Sequence, residues 1–310
     1  MKIILILLAL SSHLFNVSGS GKTRLVLDGL CCHWGFYISY RTERGTASGS
    51  DDFMVATQML QSMSSWSADP PANMIAARRV FAMLLCARFA ILAQLVKQFP
   101  VNTNITDARR RWVLAQVLPL RLEGETEDLF ATVLWALRRA STDDMLKIAT
   151  DFWVDMMTTR KDLFPERTPL FVVIDEAQVA ATELKCFPSS TSGNGQRPIL
   201  REMVQFFQTI YLFNKIILSG TGLSMEMVKE ATGAHSAKAA PIRVQEVFSN
   251  VGCFAGGDPP QEAYIRRYLT LSDDDISDKR LLEHMKLWFS GRYVYYLALQ
   301  DFFSSIIVIA

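Results

Sequence analysis

The sequence predicts an α/β protein: a parallel sheet, a large helical insertion and a small helical segment towards the C-terminal end. Three observations predict it. Leu170–Ile174 is a continuous apolar, β-branched run, the pattern of a central strand buried on both faces. "KIILSGTG" repeats that pattern after one amphipathic segment. The stretch from about residue 52 to residue 160 carries helical periodicity almost throughout. Strands alternating with helices imply parallel pairing.

Element by element, Leu14–Val17 reads as a short apolar strand leading into a Gly-rich turn, with a helix from Lys22 to about Cys32. Phe36–Tyr40 is aromatic and β-favouring, hence a short strand, and "RTERGTASGSDD" is a loop. "ARRVFAMLLCARFAILAQLVKQF" is interrupted by Arg78, Arg79, Arg88, Gln94 and Lys97. Its longest charge-free run is too short for a bilayer, so it is expected to be a buried helix and not a membrane span. "DLFATVLWALRRA" puts Phe130, Val133, Leu134 and Leu137 on one face. Ser189–Pro198 reads as a surface loop, and "ILREMVQFFQTIYLF" as an amphipathic helix. After about Val247 a Gly/Pro break leads into helices, the last two placed around Gly291. The expected division is a core over residues 1–246, its insertion at about 52–160, and a helical lid over 247–310.

Bulk properties narrow the class. The 310 residues allow one large domain or a core with a smaller appended one, and half of them are hydrophobic. A net charge of +1 provides no global basic field for nucleic acid. Cys31, Cys32, Cys86, Cys186 and Cys253 contain no Cys-x-x-Cys pair, so reduced core thiols are expected over a disulfide frame or zinc site. His13, His33, His235 and His284 lack metal spacing. Lys2, the apolar Ile3–Leu10 and small residues at Ala9 and Ser11 have the parts of a minimal secretory signal. The apolar stretch is short for that role, and the favoured expectation is a piece of the sheet-containing fold or a truncated edge, with an intracellular location. The apolar ending "IIVIA" points to a fragment. Asn16-Val17-Ser18 and Asn104-Ile105-Thr106 are glycosylation sequons; a glycan on Asn16 would sit in the turn that follows.

That turn carries the first chemistry. In "FNVSGSGKTRLVLDGL", small residues at Gly19, Ser20 and Gly21 let backbone N–H groups close around phosphates, and the helix behind adds its positive end. Lys22 would reach the β- and γ-phosphates and Thr23 would hold magnesium. Ser18, Gly19, Ser20, Gly21, Lys22, Thr23 and Arg24 are the candidate ATP-binding set. Asn16 stands where the usual pattern has glycine; asparagine tolerates positive φ, so the replacement is mild.

"FVVIDE" carries the second. Asp175 at the end of a buried strand would hold the Mg2+ water shell, and Glu176 would act as general base on water. Ser219 and Thr221, closing "KIILSGTG", are candidates to touch the γ-phosphate or the attacking water. Arg292 in "WFSGRYVYY" is a candidate to report the γ-phosphate from the lid. Arg78-Arg79, Arg109-Arg110-Arg111, Arg138-Arg139 and Arg266-Arg267 read as solvated helix faces, any one of which could act as an arginine finger across a subunit contact. Together the motifs describe a parallel-sheet P-loop NTPase core.

"SGSGKTRLVLDGLCCHWGFY", "FVVIDEAQVA", "RPILREMVQFF", "ILSGTGLS" and "LWFSGRYVYYL" resemble the P-loop NTPase module of Crinkler-type and retrotransposon-hot-spot-type proteins. The resemblance runs from about Leu14 to Phe303. The loop and "DEAQ" are generic; "CxHWGFY", "RPILRE" and "SGTGLS" discriminate. The resemblance implies an AAA+ or STAND-like ATPase, often joined to a nuclease-like domain and a delivery segment in effectors that act in host cells. Neither a Crinkler-type header before the loop nor a second catalytic constellation after the lid is read here, so the NTPase module alone is expected. Nucleic acid is thus expected as a partner only through a domain not present here.

The expectation is an ATP-hydrolysing, Mg2+-dependent switch or motor module, with self-association or a protein partner. Three other readings compete: a nucleotide-binding interaction module with hydrolysis lost, a DEAH-like helicase fragment, and a small-molecule kinase. The helical interval between the two nucleotide motifs and the lack of room for a second RecA-like half count against the helicase. No acceptor pocket is readable for the kinase.

Overall fold

The protein was analysed as a computed structural model. It describes residues 12–16, 22–40, 49–62, 66, 69–119, 128–188, 196–213, 215–221, 223–224, 226–227, 246–248, 262, 266, 272 and 275–288.

The sheet is five-stranded and all its pairs are parallel. Its strands are β1 (Ser12–Asn16), β2 (Trp34–Ser39), β3 (Leu170–Asp175), β6 (Lys215–Thr221) and β7 (Glu246–Phe248), in the spatial order β2-β3-β6-β1-β7. β6 therefore lies between the strand that enters the Gly-rich turn and the strand that ends in Asp175. β7 joins the sheet beside β1, so strand structure continues past residue 246 to Phe248. β4 (Phe187–Pro188) and β5 (Gln196–Arg197) form a separate antiparallel pair, β5 inside the stretch Ser189–Pro198 expected to be loop and β4 just before it.

Helix α1 (Lys22–Cys32) follows the turn after β1. The insertion comprises α2 (Asp52–Gln61), α3 (Pro70–Gln98), α4 (Ile105–Val117), α5 (Leu129–Ala136) with a 3-10 turn at Leu137–Arg139, and α6 (Thr142–Thr159). Side chains stop the fraying of three of these. Asn104 accepts from Thr106 N, Asp128 from Ala131 N and Ser141 from Asp144 N at their N-termini. α7 (Ala177–Ala180), α8 (Ile199–Thr209) and α9 (Ile276–Trp288) complete the described helices.

α3 is the axis of the helical layer. Its 29 residues are long and apolar enough to cross a bilayer. The molecule instead packs α2, α5, α6 and α8 against it and buries 72% of its most apolar window. Strand alternation divides the core between the two sheet faces. Phe36, Ile38, Leu170, Val172, Ile174 and Leu218 face this helical layer. Tyr37, Phe171, Val173 and Ile217 face the other way, against Val26 and Leu30 of α1 and Val113 of α4.

"HWGFY" becomes legible residue by residue. His33 meets the Phe171 ring edge-on at 5.4 Å. Trp34 stacks on Phe164 at 4.6 Å and donates to Leu163 O at 2.9 Å. Gly35 lies where α1 crosses the sheet; a Cβ there would be 2.6 Å from Leu30 Cδ2 and 2.8 Å from Phe171 O. Phe36 meets Phe89 and Trp112 edge-on. Three outward backbone groups of β2 are satisfied by side chains of the insertion. Trp112 Nε1 donates to Gly35 O at 2.7 Å, Gln116 Oε1 accepts from Tyr37 N at 2.8 Å, and Arg88 Nη1 donates to Tyr37 O at 2.7 Å.

Cys31, Cys32, Cys86 and Cys186 are free thiols, with the last two buried. Burial pushes the Cys86 thiol up to about 11. Cys186 also rises to about 11, through burial and then the Glu202 charge.

Candidate nucleotide site

Parallel pairing puts the C-terminal ends of all the strands at one edge of the sheet, the usual location of ligands in open α/β sheets. Asn16 is paired with Thr221 at that edge. It is the last strand residue of β1, so its tolerance of positive φ is not what the position draws on.

The strand alternation that turns Phe171 and Val173 towards α1 turns Asp175 the same way, to where α1 begins. Thr23 Oγ1 donates to Asp175 Oδ2 at 3.0 Å, across 152 residues of sequence. Tyr37 donates its hydroxyl to the same oxygen at 2.7 Å. The other oxygen, Oδ1, accepts from Glu176 N at 3.1 Å. Asp175 is 3% exposed, so these donors replace water around the carboxylate. Lys22 is 6% exposed beside it. Burial lowers its pKa from the ordinary lysine value, and the charges of Asp175 and Glu176 oppose that shift.

Glu176 is in the left-handed region, φ 55 and ψ 35, at the head of α7. For a non-glycine residue this conformation costs on the order of 1 kcal/mol and clusters at functional sites. Gln178 explains what holds it. The Gln178 amide donates to Glu176 Oε2, and its Oε1 accepts from the backbone N–H of Thr221 at 3.0 Å. The side chain crosses Gly220, where any Cβ would collide with Gln178 Oε1. Ser219 Oγ is fully buried and has no hydrogen-bond partner among the described residues.

The sequence-based set is therefore partly assembled. Lys22, Thr23, Asp175, Glu176, Ser219 and Thr221 share this edge. Arg24 is on an exposed face of α1, 3.7 Å from Asp28 one turn on. Ser18, Gly19, Ser20, Gly21 and Arg292 lie outside the described residues. Two residues the motif logic did not assign are Tyr37 and Gln178. Both sit in quoted motifs, "HWGFY" and "DEAQ", but their roles depend on contacts across the sheet that spacing does not encode.

The donor chemistry suits a hard divalent cation. A threonine hydroxyl and a carboxylate are oxygen ligands. Mg2+ is usually held by one or two carboxylates together with phosphates and water, so a sparse protein donor set is what it needs.

No family model, curated protein or solved structure matched the chain.

Proposed function

We propose that this chain is a Mg2+-dependent module that binds and hydrolyses ATP, acting as a switch or motor, of the kind its motifs resemble in Crinkler-type proteins. The observation that carries the proposal is the 3.0 Å hydrogen bond between Thr23 and Asp175. It joins the residue after the loop lysine to the carboxylate that ends a separate strand, two groups a nucleotide site needs side by side and a chance Gly-Ser turn does not.

In this reading Lys22 binds the β- and γ-phosphates, with its charge kept close by Asp175 and Glu176. Thr23 and Asp175 hold Mg2+, which when bound neutralises phosphate charge developing in the transition state. Glu176 takes the proton from the attacking water, and Gln178 fixes the carboxylate that does so. Ser219 and Thr221, on the strand between loop and carboxylates, face the γ-phosphate.

Lys22→Ala removes ATP binding by equilibrium titration; full affinity in that variant would refute the site. Glu176→Gln retains binding and lowers single-turnover hydrolysis by about 100-fold or more. Equal, negligible rates in wild type and variant, with tight binding kept, would instead make the chain a nucleotide-binding interaction module.

A further inference from the structure

We propose that Tyr37 is a positioning residue for Asp175, orienting that carboxylate towards the Mg2+–nucleotide complex, and that the helical insertion holds Tyr37 in place through Arg88 and Gln116. The inference rests on the ATP-site reading above.

Asp175 Oδ2 accepts from two hydroxyls, Thr23 at 3.0 Å and Tyr37 at 2.7 Å. Thr23 is the one a bound metal recruits. The phenol is then the side-chain donor that stays on Oδ2 and keeps the carboxylate from rotating. Ser39 also hydrogen-bonds the phenol. Tyr37 is 1% exposed, and its ring packs with Val26, Leu30 and Val113. A phenylalanine would fill the same space; the hydroxyl's contribution is its bond to the carboxylate.

The backbone of Tyr37 is gripped from the insertion. Gln116 Oε1 takes its N–H, and Arg88 Nη1 bonds both its carbonyl and Gln116 Oε1, at 2.7 and 3.0 Å. Arg88 Nη2 is anchored on Asp52 Oδ1 at 2.8 Å. A chain of contacts thus runs from the first insertion helix through Arg88 and Gln116 to the Tyr37 backbone, and through the buried Tyr37 ring to its hydroxyl on Asp175.

The test uses the full chain, a fluorescent ATP analogue, and Mg2+ titrations beside a series in EDTA. Tyr37→Phe is expected to leave affinity in EDTA unchanged and to raise the Mg2+ concentration at half-effect by about tenfold or more, as loss of a partner behind a metal ligand does. Gln116→Met, which frees the Tyr37 N–H, is expected to shift the Mg2+ midpoint in the same direction by less, and covers the case in which the first variant does not fold. A wild-type Mg2+ midpoint in the folded variants overturns the inference, as does an equal loss of affinity with and without Mg2+. Wild-type chain that binds no nucleotide in either series overturns the ATP reading itself, a distinct outcome.

Discussion

A single methyl group decides whether Gln178 can lie across Gly220. Gly220→Ala should displace the amide, release Glu176 from its partner and lower single-turnover hydrolysis by about tenfold or more while ATP affinity persists. Urea midpoints should report a loss of about 1–3 kcal/mol from the forced rearrangement. Lys22 offers a second test at this scale. Its pKa is lowered by burial, so the free site loses the lysine charge before pH reaches the ordinary lysine range. ATP affinity should therefore fall as pH rises towards 10, earlier than an exposed lysine would allow. In the proposed site deprotonation would remove the phosphate's partner, so the sign is a loss with rising pH. A flat titration across that range would contradict the burial of Lys22.

Elements with a patterned run of four or more residues were legible in the sequence, the short strands β1 and β2 among them, and the two- and three-residue strands were not. β3 and β6 announced themselves as apolar runs because both of their faces are covered. α1 ended where its amphipathic pattern ended. β7 is three residues at an expected boundary, and β4 and β5 are two each; such pieces are held by their neighbours and carry no period of their own. The site divides in the same way. Thr23, Asp175 and Glu176 could be read because their motifs are contiguous, whereas Tyr37 required the β2–β3 register, in which it pairs with Val173. Arg160 is a comparable hidden part. It closes the far end of α3 by donating to Val96 O, Phe99 O and Pro100 O, and it holds Asp162. Arg160→Ala should lower stability by about 1–3 kcal/mol in denaturant titrations. The hydrogen bond from Arg160 lowers the Asp162 pKa, so its contribution is present above the ordinary aspartate value and is lost as pH falls through the lower folded one. The wild-type excess over Arg160→Ala should shrink at acid pH in that window.

Across the whole molecule, the buried Asp52–Arg88 pair, 0% and 1% exposed, joins the helical layer to the sheet. Removing one partner strands a charge: Arg88→Met alone should cost about 3–5 kcal/mol, and adding Asp52→Leu should recover part of it. Additive losses in thermal melts would show that the two do not act as a pair. The same guanidinium, with Trp112 and Gln116, occupies three outward backbone groups of β2, the last strand in the sheet order at that end. A strand whose N–H and C=O groups are already taken offers no template to another chain. Another copy pairing at β2 would therefore have to displace Arg88, Trp112 and Gln116, and an oligomer, if ATP drives one, is expected to be built from helix faces or from another part of the sheet.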